Sequence, residues 1–140
     1  MNSKALRRVL SVWSSIDESL HELKSISSAL FEPSVYRDEF TEKLVSLRNG
    51  SARPRKDYKR LVGFSQHSLS QVRWQIKTNR GNYVIRLIYA ELENGDLLML
   101  KWHIKDPNQP RSIQRALQNQ ACWEAVQRKE KYRDYYEVSL

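Results

Sequence analysis

The sequence predicts a single α+β domain, and three observations lead to this prediction. Apolar residues recur at three- and four-residue spacing in the first third of the chain and again near its end, which indicates helices. Between them, residues 71–106 form short apolar or alternating runs separated by turns that contain Asn and Gly, as in antiparallel strands. A chain of 140 residues with 40% hydrophobic and 29% charged residues has the composition of one globular domain.

The sequence of the N-terminal third, residues 1–48, predicts that this segment forms a helical hairpin. The apolar spacing from Leu6 to Ile26 predicts a helix of about six turns. A second helix is predicted over residues 35–47, with Ser34 as its N-cap and Val35 among its inward-facing residues. Gly50 follows this helix and is expected to end it.

A basic connector is predicted over residues 51–70, because Pro54 and the dense charge around it disfavour regular structure. Within the connector, residues 61–64 (Leu-Val-Gly-Phe) predict a short buried anchor or an edge strand. The connector therefore leads from the helices into the sheet.

An antiparallel β-meander is predicted over residues 71–106, with strands at 72–78, 83–92 and 97–105. In the first strand, alternation places Trp74 towards the core and Arg73 on the opposite face. Pro107 and Pro110 end the third strand. A final helix is predicted from Ser112 to about residue 133 within a C-terminal segment 111–134, on the pattern Ile113, Leu117, Ala121, Trp123, Val126 and Gln127.

The positive charge of the chain is concentrated in this sheet and its flanks. Residues 48–115 contain 14 Lys and Arg but only 5 Asp and Glu, in a chain whose net charge is +8. A basic block that coincides with a predicted sheet indicates a folded surface that binds a polyanion, and nucleic acid is the leading candidate.

Several classes of protein and site are disfavoured. One cysteine, Cys122, excludes an intrachain disulfide and is expected to be a buried thiol. No run is long enough for a transmembrane span and no apolar signal core follows the N-terminus, so we expect a cytoplasmic protein without a membrane partner. The sequence shows neither a phosphate-binding glycine loop nor metal-ligand spacing, and we expect no metal and no cofactor.

Several short motifs in a fixed order resemble the RelE/ParE superfamily of toxins, and in particular its HigB-like, phage-derived branch. The motifs are residues 74–77 (Trp-Gln-Ile-Lys), Gly81, residues 86–90 (Arg-Leu-Ile-Tyr-Ala), Gly95 and a strand that ends with Ile104 and Lys105. The match covers residues 44–120. A short first strand often opens this fold, whereas the apolar spacing of this chain predicts a long first helix.

The resemblance implies the toxin of a type II toxin–antitoxin pair, an mRNA interferase that cleaves mRNA without a metal by attack of the RNA's own 2′-hydroxyl. Such a reaction needs a base, an acid and positive charge around the phosphorane. By this resemblance Arg86, Lys77 and Lys105 stabilise the phosphate. His103 occupies a position where the family has Phe, and it shares a strand face with Lys101 and Lys105, so we infer an acid or base role for it.

Further cations are candidates for RNA binding, and each also has a structural alternative. The RNA-binding candidates are Arg53, Arg55, Lys56, Lys59, Arg60, Arg73, Arg80 and Lys101. The alternative for the connector cations is a solvated loop, for Lys77 and Arg73 solvated strand positions, and for His103 a structural histidine. Arg86 alternatively caps the sheet edge or forms an ion pair with Glu91 or Asp57. Trp74 and Trp102 are expected in the core.

The expected partners are a small cognate antitoxin protein, mRNA and the ribosome. A ParE-like toxin that inhibits gyrase is the first alternative function. A non-catalytic nucleic-acid-binding module of phage origin is the second.

Overall fold

The computed structural model describes residues 7–27, 30–132 and 134–140, and within them the chain forms an α+β fold around one sheet. Two short 3₁₀ turns, Pro33–Tyr36 and Ser65–His67, join the larger elements. The strands and helices in chain order are β1 (Val9–Ser11), α1 (Ile16–Ser27), α2 (Arg37–Asn49), β2 (Tyr58–Arg60), β3 (Leu69–Thr78), β4 (Gly81–Glu91), β5 (Leu97–Lys105), α3 (Arg111–Lys131) and β6 (Tyr136–Glu137).

The sheet is mixed and has the strand order β2-β3-β4-β5-β1-β6. The predicted meander of β3, β4 and β5 is present and antiparallel. It is extended on one side by β2 and on the other by β1, which runs parallel to β5. The sequence predicted a sheet of three strands, whereas the described residues form a sheet of six. The long, apolar β4 and β5 occupy the middle of the sheet, where both faces are covered.

An aromatic cluster fills the core on one face of the sheet. The Phe40 ring from α2 lies 4.7 Å from that of Trp74 on β3 and 5.3 Å from that of Trp102 on β5, centroid to centroid. Trp13, before α1, adds a ring 6.5 Å from Trp102. Tilted and edge-on contacts of this kind suit the aromatic quadrupole. The prediction that Trp74 and Trp102 belong to the core is confirmed.

The prediction of one long first helix is wrong, because residues 9–11 form a strand and α1 begins only at Ile16. All three residues of β1 are buried, which a helix face would not achieve. The edge of β5 supplies hydrogen-bond partners that a sequence pattern cannot reveal. Asp96 secures the start of β1 by accepting hydrogen bonds from the backbone N of Arg8 and from its guanidinium. The predicted start at Leu6 lies outside the described residues.

The second helix is shifted relative to its prediction. The 3₁₀ turn Pro33–Tyr36 precedes it, and Tyr36 rather than Ser34 is its N-cap. Val35 was predicted to face inwards but is 74% exposed, because a 3₁₀ turn does not share the face of the following α-helix. Gly50 ends α2 as predicted, with a left-handed φ of 76°.

The connector is more ordered than its composition predicts, since residues 58–60 pair with β3 as an edge strand. Leu61 and Phe64 are buried and anchor the following turn, whereas Val62 between them is exposed. No helix in the described part of the chain is long and apolar enough to cross a membrane.

The last helix, α3, packs over the opposite face of the sheet from the aromatic cluster. Its C-terminal half buries Ala121, Cys122, Ala125 and Val126. Of the apolar residues whose spacing predicted this helix, Ala121 and Val126 are buried, whereas Ile113, Leu117 and Trp123 are exposed. The sheet face beneath the N-terminal half of α3 is polar, since it carries Gln71, Arg73 and Arg86, and it offers Ile113 and Leu117 no apolar surface to bury against. The predicted end of the helix at residue 133 also lies outside the described residues.

Candidate nucleic-acid interface

Three basic side chains form one row across the centre of the sheet. Arg73 on β3 is the direct partner of Arg86 on β4, and Arg86 is the direct partner of His103 on β5. Paired residues on antiparallel strands project from the same face, so this cationic row faces α3. Like charges directly opposite each other destabilise a sheet by roughly 0.2–1 kcal/mol. Such an arrangement is expected where function, rather than stability, selects the residues.

Arg86 is buried in the cationic row, with 8% of its surface exposed. Its Nη1 donates a hydrogen bond to the side-chain oxygen of Gln118 on α3. Its Nε is buried and has no acceptor among the described residues. Burial first, and then the charge of Arg73, lower the pKa of Arg86 from its ordinary value. A guanidinium in this setting is primed to bind an anion.

The carboxylates considered as partners for Arg86 are engaged elsewhere. Asp57 lies 3.5 Å from the ammonium of Lys43, and Glu91 lies 3.0 Å from the guanidinium of Arg7. Among the described residues, Arg86 takes part in no ion pair with a carboxylate. The alternative that Arg86 is a structural ion-pair residue therefore finds no support in the structure.

His103 is neutral at physiological pH because of its position in the cationic row. Burial, followed by the charges of Arg86 and Lys101, lowers the pKa of His103 to about 4. A neutral imidazole accepts a proton or a hydrogen bond, but it is a poor proton donor at pH 7. An anion bound beside Arg86 would offset the surrounding positive charge and raise the pKa of His103.

Lys105 joins the cationic row from the end of β5, two residues beyond His103 on the same strand face. Burial and the charges of Arg86, Arg111 and Arg73 lower the pKa of its ammonium. The structure thus brings Arg86, Lys105 and His103 together, as expected for a shared site. Arg111, at the start of α3, is a further cation at this point.

Lys101 lies on the same face but is neutralised by Glu124 of α3, whose carboxylate is 3.0 Å from its ammonium. Lys59 on β2 pairs with Gln71 and lies in the same cross-strand row of the sheet as Lys101. The side chain of Lys59 is exposed. Arg60 alternates to the other face of the sheet, away from the cationic row.

Lys77 is not part of the cationic row. It follows Arg73 by four residues on β3, which is about 13 Å along a strand. Its side chain instead lines a pocket beside the tip of the β3–β4 hairpin, together with Arg80. Arg73, rather than Lys77, is the direct cross-strand partner of Arg86.

The connector cations are held in a fixed loop against the cationic row. Asp57 accepts a hydrogen bond from the backbone N of Arg53 at 2.8 Å, which closes the loop. Arg73 donates from its guanidinium to the carbonyl of Arg55, whose own φ is 69°. Arg53, Arg55 and Lys56 are exposed at this loop. Arg55 therefore lies next to the cationic row, and Arg53 and Lys56 flank it in the same loop, so that the three side chains form an exposed basic rim.

Sequence reasoning missed the two glutamines that cover the cationic row. Gln118 receives the hydrogen bond of Arg86, and its amide nitrogen donates to Gln71 on β3 at 3.3 Å. The signal was available, because Gln114, Gln118 and Cys122 recur at helical spacing on one face of α3. An apolar stripe drew the prediction to the neighbouring face instead. Cys122 itself is buried as expected, and burial raises the pKa of its thiol to about 11.

The described residues contain no group of three or more His, Cys, Asp or Glu side chains that could hold a metal ion. Comparison of the chain with protein-family models, with curated proteins and with solved structures finds no match.

Proposed function

We propose that this protein is a RelE/HigB-like toxin that binds RNA on the α3 face of its sheet and cleaves it without a metal. One observation carries the proposal: Arg86 is buried between Arg73 and His103 with no carboxylate partner among the described residues. An anionic ligand would compensate the cost of burying this group. A phosphodiester is the anion that best fits the basic rim around the cationic row.

Each residue of the cationic row has a distinct role in this proposal. Arg73 and Lys105, both partly exposed, meet the phosphate first. Arg86 supplies positive charge beneath it, where charge grows as the 2′-hydroxyl oxygen forms a bond to phosphorus and the bond to the 5′-oxygen breaks. Neutral His103 accepts the proton of the attacking 2′-hydroxyl, and the departing 5′-oxygen takes a proton from solvent water. Lys77 has no part in this step and contacts RNA elsewhere.

The short strand β1 adds support, because an opening strand is a feature of the resembled fold that the apolar spacing alone did not predict. In this proposal the protein acts in the cytoplasm on mRNA, in the context of the ribosome, and a small antitoxin protein controls it. That antitoxin either covers the cationic row or braces the fold while its own helix displaces α3.

A second function is favoured by a specific observation. Gln118 covers Arg86, and the pKa of His103 is about 4, far from the pH at which a general base works best. A protein that binds nucleic acid on the same face without cutting it would have the same geometry. The two functions differ only in whether RNA is cleaved.

Inducible expression in bacteria tests the proposal. The proposal predicts growth arrest with cut transcripts for the wild type and no toxicity for Arg86→Ala. Arg60→Ala is the matched control, because Arg60 is an exposed cation on the opposite sheet face. Arrest with DNA damage would indicate a gyrase-directed toxin, and absence of toxicity a non-catalytic module. Full toxicity of a folded Arg86→Ala variant would refute the assignment of the site.

A further inference from the structure

A second concave site lies at the end of the sheet, beside the tip of the β3–β4 hairpin. Its volume is about 420 Å³, which is in the range of small-molecule pockets. Two half-exposed rings, Phe31 and Tyr36, and the exposed Val35 line one side, and Lys77 and Arg80 line the other. We call these five residues the hairpin pocket.

The rings of the hairpin pocket are held in place from below. The centroids of Phe31 and Tyr36 are 5.9 Å apart and their planes meet edge to face. Tyr36 in turn lies 6.2 Å from Phe40, which belongs to the buried aromatic cluster. A rigid ring that remains partly exposed provides a stacking surface at a small entropic cost.

The cations of the hairpin pocket are available to a ligand. Lys77 and Arg80 are exposed, and neither forms an ion pair among the described residues. The backbone around Arg80 is fixed, because its carbonyl accepts a hydrogen bond from Asn108 at 2.9 Å and its N donates to Thr78 at 3.1 Å. The acidic residue of the lining, Glu32, is paired at 3.0 Å with Lys24.

We infer that the hairpin pocket binds one nucleotide of single-stranded RNA, with its base against Tyr36 and Phe31 and its phosphate at Lys77 and Arg80. Aromatic rings opposite fixed cations match the two halves of a nucleotide. Lys77 connects the pocket to the cationic row, because it alternates to the same face of β3 as Arg73 about 13 Å away, whereas the two rings lie on the side of the aromatic cluster, around the end of the sheet. This inference rests on the proposed function, since it requires that RNA binds the adjacent cationic row.

Binding of labelled single-stranded RNA to the full chain, followed by fluorescence anisotropy, tests the inference. Two lengths are compared, about 4 and about 12 nucleotides, which span the range that one binding module covers. Only the longer RNA reaches both sites. Tyr36→Ala is expected to weaken binding of the longer RNA about tenfold, the effect of one lost stacking contact. Tyr36→Phe keeps the ring and is the matched control, with affinity within about twofold of the wild type.

Salt dependence separates the two halves of the hairpin pocket. The double variant Lys77→Gln/Arg80→Gln is expected to reduce the slope of log affinity against log salt by about 1–2, whereas Tyr36→Ala leaves the slope unchanged. Both substituted cations are exposed, so the double variant is expected to fold. It therefore tests RNA binding by the hairpin pocket even if Tyr36→Ala fails to fold. Circular dichroism of each variant checks folding.

The outcomes distinguish this inference from the proposed function. Wild-type affinity in the double variant and in folded Tyr36→Ala would overturn the inference, while loss of binding in Arg86→Ala would still support the cationic row. A wild type that binds neither RNA would overturn both. Unchanged RNA affinity combined with loss of binding to a protein partner would assign the pocket to that partner and overturn the inference.

Discussion

Replacing Arg86 with methionine is expected to stabilise the fold while it removes RNA binding. Methionine is unbranched and similar in length, so it fills the space under α3 without a charge. The substitution removes a buried Nε that has no acceptor among the described residues, and it relieves the repulsion between Arg86 and Arg73. A residue that lowers stability where it stands is a mark of a functional site.

The structure allows the size of this effect to be worked out. An unsatisfied buried donor costs about 1–3 kcal/mol, and an in-register like charge costs about 0.2–1 kcal/mol. Against these gains, the variant loses one hydrogen bond from a charged group to Gln118, which contributes about 1.5–3 kcal/mol. The gain lies towards the upper end of its range, because the donor belongs to a charged group whose desolvation costs more than that of a neutral one. We expect a net increase of about 1 kcal/mol in the free energy of unfolding, which raises Tm by roughly 3 °C.

Urea denaturation followed by tryptophan fluorescence measures this effect, and Arg128→Met is the matched control. Arg128 is another largely buried arginine, but its two Nη atoms contact the carboxylate of Glu22 at 2.5 and 2.9 Å. Its loss leaves that carboxylate without its partner and should cost about 2 kcal/mol. A loss of 1 kcal/mol or more in Arg86→Met, at an unchanged m-value, would refute the reasoning.

Three further predictions concern single residues. The pKa of His103 is about 4 in the folded protein and about 6.5 in the unfolded chain, so between these pH values the unfolded chain binds one more proton than the folded protein. The free energy of unfolding should therefore fall by at most about 3 kcal/mol as the pH drops from 6.5 to 4. Urea titrations at several pH values should show this loss in the wild type and not in His103→Asn. The same dependence of the free energy of unfolding on pH in both proteins would contradict the prediction. Lys105→Gln should weaken RNA binding about tenfold in an anisotropy titration. Lys101→Gln should weaken it much less, because Glu124 already neutralises Lys101. A larger loss of affinity in Lys101→Gln than in Lys105→Gln would exclude Lys105 from the site. Cys122, buried and with a thiol pKa of about 11, should resist alkylation at pH 7.5 until urea unfolds the chain; rapid labelling of the native protein, followed by mass spectrometry, would show that α3 opens.

Elements that are defined by local signals could be predicted from the sequence. Strand β5 has the predicted bounds Leu97–Lys105, because Gly95 and Pro107 delimit an apolar run. The strand β1 could not be predicted, because three residues become a strand only when the edge of β5 pairs with them. Tertiary pairing of this kind leaves no periodic signal.

The candidate site could be predicted in part. Arg86, Lys105 and His103 meet, since alternation along β5 and the motif spacing place them on one face. Arg73 pairs with Arg86 because residues 79–80 form a two-residue turn between β3 and β4. A four-residue turn at 79–82 would shift the register and place a different residue of β4 opposite Arg73. An irregularity between Ile88 and Tyr89 shifts the register of β4 and β5, and no sequence signal marks it.

The most direct test of the central claim is incubation of the purified full chain with labelled RNA, either free in the presence of EDTA or bound to ribosomes in the magnesium buffer that keeps them intact. The account predicts that the wild type cleaves RNA and leaves 2′,3′-cyclic phosphate ends, and that the stable Arg86→Met variant neither binds nor cleaves it. Cleavage or binding by Arg86→Met at the wild-type level would contradict the claim that the buried guanidinium of the cationic row receives the phosphate.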